Sequence, residues 1–164
     1  MIRQLVTLRE MAQTCLLNNG RPRYRFIGLL DNDKAGRAAL KTARAVDTSM
    51  VEYRDLFRLC PVMPWKGNLD PKSLQKNFER ENSGYKGLDW ELEDLLPQNF
   101  YDAFLGDFPS AVTRSVPLQG KIHRDLTRDG KAKLHRFIKT YAEYKDLQDV
   151  INVLKAIRFY LGLR

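Results

Sequence analysis

Cysteine and histidine are scarce in this chain of 164 residues, with two of each: Cys15, Cys60, His123 and His135. The two cysteines are far apart and lack CxxC spacing, which excludes a disulfide framework and a thiol redox motif. Cys15 falls in an apolar helical segment and Cys60 beside an apparent strand, so both are expected to be reduced core thiols of a cytoplasmic protein. The histidines are too few and wrongly spaced for a zinc motif, and neither has a nucleophile beside it. No apolar run approaches the ~18 residues that would span a bilayer. Met1 to Gln13 mixes charged with apolar residues and lacks the core of a signal peptide. Low-complexity tracts and internal repeats are absent, which excludes a solenoid. Acidic residues are in deficit: 20 Asp and Glu face 28 Lys and Arg, for a net charge of +8 and a pI of about 9.6. That imbalance favours polyanionic partners, nucleic acid first among them, although a basic surface also serves solubility alone. With 43% apolar residues, seven Tyr, eight Phe and two Trp, the chain can build the core of one domain, or of a domain with an appended piece.

The densest signal runs from Tyr24 to Leu40. An apolar stretch, Phe26-Ile27-Gly28-Leu29-Leu30, stops abruptly at Asp31-Asn32-Asp33-Lys34-Ala35-Gly36-Arg37. The pattern predicts a buried strand over residues 24–30 and a helix over 35–46, rich in small residues that permit close approach to a sheet. In extended chain Asp31 and Asp33 share a face. Two carboxylates about 4 Å apart repel by ~4 kcal/mol at an effective dielectric of 20, and a divalent cation is the usual remedy. A plainer reading has the same residues forming a turn in which Asp33 caps the helix and its charge suits the helix dipole.

Elsewhere, residues 2–18 alternate apolar and polar positions at helical spacing and end at Asn18-Asn19-Gly20. Residues 53–62 read as a second strand, closed by Pro61 and Pro64. The order helix, strand, helix, strand implies a parallel α/β unit with a right-handed crossover. Residues 65–87 read as a long loop with one short helix near 71–80, and residues 99–105 as a helix. Residues 110–130 read as a second loop, rich in Arg and Lys. From about Gly130 the chain is helical, with stripes at Leu134, Phe137, Ile138 and Tyr141 and again from Leu147 to Leu163. His123 and the basic side chains Lys121, Arg124 and Arg128 make residues 114–128 the candidate phosphate contact, set against a simple solvated loop.

Leu29-Leu30-Asp31-Asn32-Asp33-Lys34-Ala35-Gly36-Arg37 resembles the DxD segment of Toprim domains, the fold shared by bacterial primases, topoisomerases and OLD-family nucleases. Trp90-Glu91-Leu92-Glu93-Asp94-Leu95-Leu96-Pro97, followed by Asp129-Gly130-Lys131-Ala132-Lys133-Leu134, is more weakly similar to the back half of the Toprim domain in OLD-like ATP-dependent nucleases and related defence proteins. The resemblance covers roughly residues 20–140. It implies an α/β fold: a partial Toprim-like parallel sheet flanked by helices over residues 1–130, with a helical C-terminal segment, 131–164, packed on it. The family's upstream strand ending in Glu has no counterpart here, since Glu10 lies within the first helix. The chain thus resembles the carboxyl-terminal portion of such a domain, as expected of a split gene product, a truncated reading frame, or one subunit of an assembly in which a partner protein supplies the strand.

On this resemblance Asp31, Asp33 and Glu93, with Glu91 as second choice, would hold Mg2+ or Mn2+. Lys131, or Lys133 by a small register shift, would stabilise charge on a phosphate. The implied function is a metal-dependent DNA nuclease module acting with an ATPase partner in defence against foreign DNA. The alternative is a noncatalytic nucleic-acid-binding or assembly subunit, with primase a weaker third. For Glu91 to Asp94 a helix-start acidic cluster, and for Lys131 and Lys133 a solvated helix face, are the competing structural readings.

Overall fold

The apolar run before Asp31 does form a strand, β1 (Gly28–Leu30), which pairs in parallel with β2 (Leu56–Arg58) in the register Gly28 to Leu56 and Leu30 to Arg58. In this computed structural model, which describes residues 2–163, helix α1 (Ile2–Thr14) precedes β1 and helix α2 (Lys34–Val46) connects the two strands. The expected order of helix, strand, helix and strand is therefore present. Both strands are shorter than the sequence pattern suggests, for local reasons. Ahead of β2 the chain turns on itself: Tyr53 N–H donates to Leu56 O and Asp55 N–H to Val51 O, both at 2.8 Å. Tyr53 there sits at φ +66°. Beyond β2 the ladder adds one bond, Leu59 N–H to Leu30 O at 2.7 Å, before Pro61, which has no N–H to donate.

The remaining elements are α3 (Pro71–Glu81), α4 (Gln98–Asp107), β3 (Val112–Leu118), β4 (Lys121–Leu126), α5 (Arg128–Tyr141) and α6 (Gln148–Tyr160), with 3-10 turns at Ser83–Tyr85, Leu92–Leu95 and Tyr144–Leu147. The described residues thus form a mixed α/β structure with a two-stranded parallel sheet and an antiparallel hairpin. The short helix expected in the 65–87 region is α3; Asp70 accepts from Ser73 N–H and Pro71 opens the first turn, both standard helix-start chemistry.

Residues 110–130 need correction, because they hold a hairpin where a loop is expected. β3 and β4 pair antiparallel from Val112–Leu126 to Leu118–Lys121, joined by Gln119 and Gly120 at φ +46° and +78°. Two successive left-handed residues make the tight turn that suits strand twist. Gln is a poor advertisement for such a turn, and Pro117 inside β3 hides the strand pattern. Cys15 is also corrected, since it is exposed.

Three apolar clusters hold the elements together. One joins Leu5 of α1, Leu30, Leu40, Ala43, Met50 and Leu56. The second gathers Phe100, Tyr101 and Phe104 of α4 with Ala111 and with Leu134 and Phe137 of α5. The largest combines Phe57 of β2, Leu74 and Phe78 of α3, Trp90, and Val153, Ala156 and Tyr160 of α6. Phe57 and Tyr160 stack at 4.2 Å, and the Tyr160 hydroxyl donates to Pro64 O at 2.7 Å. The C-terminal helix is therefore built into the core around β2. Residue 130, where the sequence divides the chain, lies in the first turn of α5.

Gly36 fixes how closely α2 meets the end of β1. A Cβ on Gly36 would stand 1.8 Å from the Asp31 carbonyl oxygen, a contact with backbone that no rotamer can relieve. Gly36→Ala should destabilise the fold by about 2–3 kcal/mol. Gly106→Ala, in the exposed last turn of α4 where an added Cβ meets nothing within 4 Å, should instead be neutral or stabilising by up to about 1 kcal/mol. Urea unfolding of the two variants beside the parent checks this; equal effects would mean the Asp31–Gly36 approach is looser than described.

Candidate functional site

Asp31 and Asp33 emerge at the carboxyl end of β1, and the residue between them anchors that end. Asn32 exchanges backbone hydrogen bonds with Trp90, Asn32 N–H to Trp90 O at 2.9 Å and Trp90 N–H to Asn32 O at 3.3 Å. Its side chain accepts from Arg58 at 3.2 Å, and its amide donates to Leu88 O at 3.4 Å. The segment before the Leu92–Leu95 turn is thus docked onto the strand end that carries the two aspartates.

Asp33 does what the plainer reading expects. Its Oδ1 accepts from Gly36 N–H at 2.6 Å as the N-cap of α2.

The acidic turn is held from below by Asp94, whose side chain is fully buried. Asp94 Oδ2 accepts from Glu91 N–H at 2.9 Å and lies 2.7 Å from His123 Nδ1, while Oδ1 accepts from Arg124 N–H at 3.0 Å. The Tyr101 hydroxyl donates to Glu93 O at 3.2 Å. With Asp94 turned inward, Glu91 and Glu93 meet Lys131, which pairs with both, at 3.3 Å in the case of Glu93. Lys131 reaches them because α5 begins tightly: Thr127 accepts from Gly130 N–H, and a Cβ on Gly130 would come within 2.4 Å of Ala111 O.

Five of the residues singled out from sequence therefore come together: Asp31, Asp33, Glu91, Glu93 and Lys131. Partial desolvation, and then the charges of Glu91, Glu93 and Asp33, raise the Asp31 carboxyl above its ordinary range, with Lys131 opposing them. Asp31 is exposed at the surface, so the crowding of carboxylates is the informative part of that shift. For Lys131, burial pulls the ammonium pKa down, but Glu91 and Glu93 outweigh it and the net direction is upward. Four carboxylates against one ammonium leave an excess of negative charge, a donor chemistry suited to a hard divalent cation. Among the described residues, however, no three His, Cys, Asp or Glu side chains are grouped so as to hold a metal ion. A bound ion would require Glu91 and Glu93 to exchange Lys131 for it.

The expected phosphate contacts fare differently. Arg124 is buried, its guanidinium 4.0 Å from the centre of the Tyr101 ring and hydrogen-bonded to Gln98. It is a structural group, and the reading of it as a surface contact is corrected; α4, through Tyr101 and Gln98, covers its side of β4. Lys121 pairs with Asp149 at 3.1 Å. Arg128 is exposed at the start of α5. Lys133 pairs with Asp129 one helical turn away, outside the acidic site.

What the sequence reading missed is the Asp94–His123–Asp125 chain, completed by His123 Nε2 and Asp125 Oδ1 at 3.2 Å. The available signal was Asp94 three residues after Glu91, the spacing of a capping box, but nothing local links it to His123. No family model, curated protein or solved structure matches the chain. Among the described residues no helix is long and apolar enough to cross a membrane.

His123 gives the site a pH signature. Burial alone would lower its pKa, but Asp94 and Asp125 outweigh it and the net shift is upward. Burial, opposed by the bond from His123, raises Asp94 as well. Both shifts mean that the folded pair holds its protons more tightly than the unfolded chain does. Stability from His123 is then complete below its unfolded pKa of ~6.5 and is lost as pH rises through the higher folded value. Unfolding free energy measured from pH 6 to 9 should fall over this window in the parent and lose that component in His123→Gln; identical pH profiles would contradict the assignment.

Proposed function

We propose that this chain is a metal-dependent nuclease module of the OLD-like Toprim type, hydrolysing phosphodiester bonds of DNA with Mg2+ or Mn2+. The observation that carries the reading is the convergence of Asp31 with Glu91, Glu93 and Lys131, from three separate stretches of chain, at the carboxyl end of a strand in a parallel pair. That end of a strand is where α/β folds gather their chemistry. Asp31, Asp33 and Glu93 would hold the ion, with Glu91 beside them. A divalent cation there would polarise the phosphate and lower the pKa of an attacking water. Lys131, kept charged by its two glutamates, would steady negative charge on the phosphoryl oxygens once substrate arrives. Asp94 and His123 act at one remove, by fixing the turn that bears Glu91 and Glu93.

A second reading, a noncatalytic nucleic-acid-binding or assembly module, draws on two observations. Asp33 spends one oxygen on capping α2, and Lys131 already neutralises Glu91 and Glu93.

Plasmid nicking separates the two. With Mg2+ or Mn2+ the chain should nick supercoiled DNA, Asp31→Asn should abolish nicking, and Lys131→Gln should slow it on the order of 100-fold. Asp31→Asn is the sharper choice than any Asp33 variant, because loss of the cap would by itself cost about 1 kcal/mol. Nicking that survives Asp31→Asn would move the active site elsewhere, and none from the parent with either metal would favour the binding module.

A further inference from the structure

Three arginines with no carboxylate partner among the described residues, Arg21, Arg23 and Arg25, fall within one short stretch of chain. They are in the extended segment ahead of β1, Arg21-Pro22-Arg23-Tyr24-Arg25-Phe26. This segment lines a cleft of about 700 Å3 together with Arg9 of α1 and with Leu161 and Leu163 after α6. Asp55 is the one carboxylate in the lining, and it is engaged by Arg9 at 3.4 Å and Arg54 at 2.7 Å. Arg25 donates to the Arg54 carbonyl, a neutral acceptor, at 3.1 Å. Among the described residues neither Arg21 nor Arg23 has a carboxylate within ion-pair distance. Tyr24, between Arg23 and Arg25 in sequence, is 53% exposed and lines the same cleft.

The segment is also held in place before any ligand arrives. Arg23 N–H donates to Cys15 O at 2.7 Å and Leu17 N–H to Arg21 O at 2.8 Å, pinning it to the end of α1. At its other end Gly28 N–H donates to Asp55 O at 2.8 Å. Ordering costs that a flexible basic tail would meet on binding are thus largely met by the fold.

We propose that this cleft binds single-stranded nucleic acid, with Arg21, Arg23 and Arg25 on successive phosphates and a base stacked on Tyr24. Guanidinium groups suit phosphate oxygens, and an exposed ring is open to an unpaired base but not to one stacked within a duplex. The cleft lies at the amino end of β1, whereas Asp31 lies at its carboxyl end, roughly 20 Å away along extended chain. The inference is therefore independent of the nuclease reading, and binding here needs no metal.

The test is fluorescence anisotropy of a fluorescein-labelled oligothymidine of fifteen nucleotides, titrated with the whole chain in EDTA at several salt concentrations. EDTA removes cleavage, so a failed nuclease reading cannot mimic a failed binding reading. Arg21→Gln with Arg23→Gln should raise Kd on the order of 10-fold or more and flatten the log-log salt slope by about 1.4. Tyr24→Leu should weaken binding about 10-fold with the salt slope kept. Lys139→Gln, in the exposed last turn of α5, should leave affinity unchanged. Unchanged affinity in the double arginine variant would overturn the proposal. So would a duplex of equal length binding as tightly as the single strand, or polyglutamate displacing the oligonucleotide at equal charge.

Discussion

A buried carboxylate, Asp94, is the joint on which the acidic site depends. It takes hydrogen bonds from its own turn, through Glu91 N–H, and from the hairpin, through Arg124 N–H and the His123 ring. Breaking such a buried arrangement on one side typically costs about 3–5 kcal/mol, because the remaining charge is stranded. Among the described residues the hairpin's side-chain hydrogen bonds to the turn all converge on Asp94, and the turn is fastened to β1 through Asn32 and Trp90. Glu91 and Glu93 are presented to Asp31 as a consequence of those two fastenings. Trp90 itself is almost wholly buried, and its indole N–H finds no acceptor; ring burial in the main core offsets that loss.

The two ends of β1 carry opposite electrostatics. At the carboxyl end Asp31, Asp33, Glu91 and Glu93 outnumber Lys131, and partial burial followed by that crowding raises the Asp31 pKa. At the amino end arginines outnumber Asp55. An anionic polymer drawn by the net charge of +8 meets attraction at one end and repulsion at the other. A cation at the acidic end would reverse that repulsion locally, which is the sense in which metal and nucleic acid would cooperate on this surface.

Not every basic residue serves that field. Arg124 shows how tertiary packing overrides composition: within Lys121–Leu126 it is covered by α4 and its guanidinium meets Tyr101 and Gln98. Arg9 likewise lies between Asp47 and Asp55, where it ties α1 to the end of α2 and the entry to β2.

The sequence by itself determined the β1–α2–β2 unit, the cap at Asp33 and the glycine at position 36, whereas the grouping of Asp31 and Asp33 with Glu91, Glu93 and Lys131 was an expectation drawn from a family resemblance. The first three rest on local patterns, namely an apolar run ending in short acidic residues, helix-start chemistry and small residues where a helix meets a strand. The boundaries were less legible, because the turn at Tyr53 cuts β2 short at its start through backbone geometry that hydropathy does not encode. Only the tertiary structure decided that residues 112–126 form a hairpin, that Arg124 is buried, that His123 bridges Asp94 and Asp125, and that Arg21, Arg23 and Arg25 line a cleft with Tyr24. Each of these depends on partners far away in the chain, and a side chain's burial or pairing is fixed by what the fold brings opposite it, not by its neighbours in sequence.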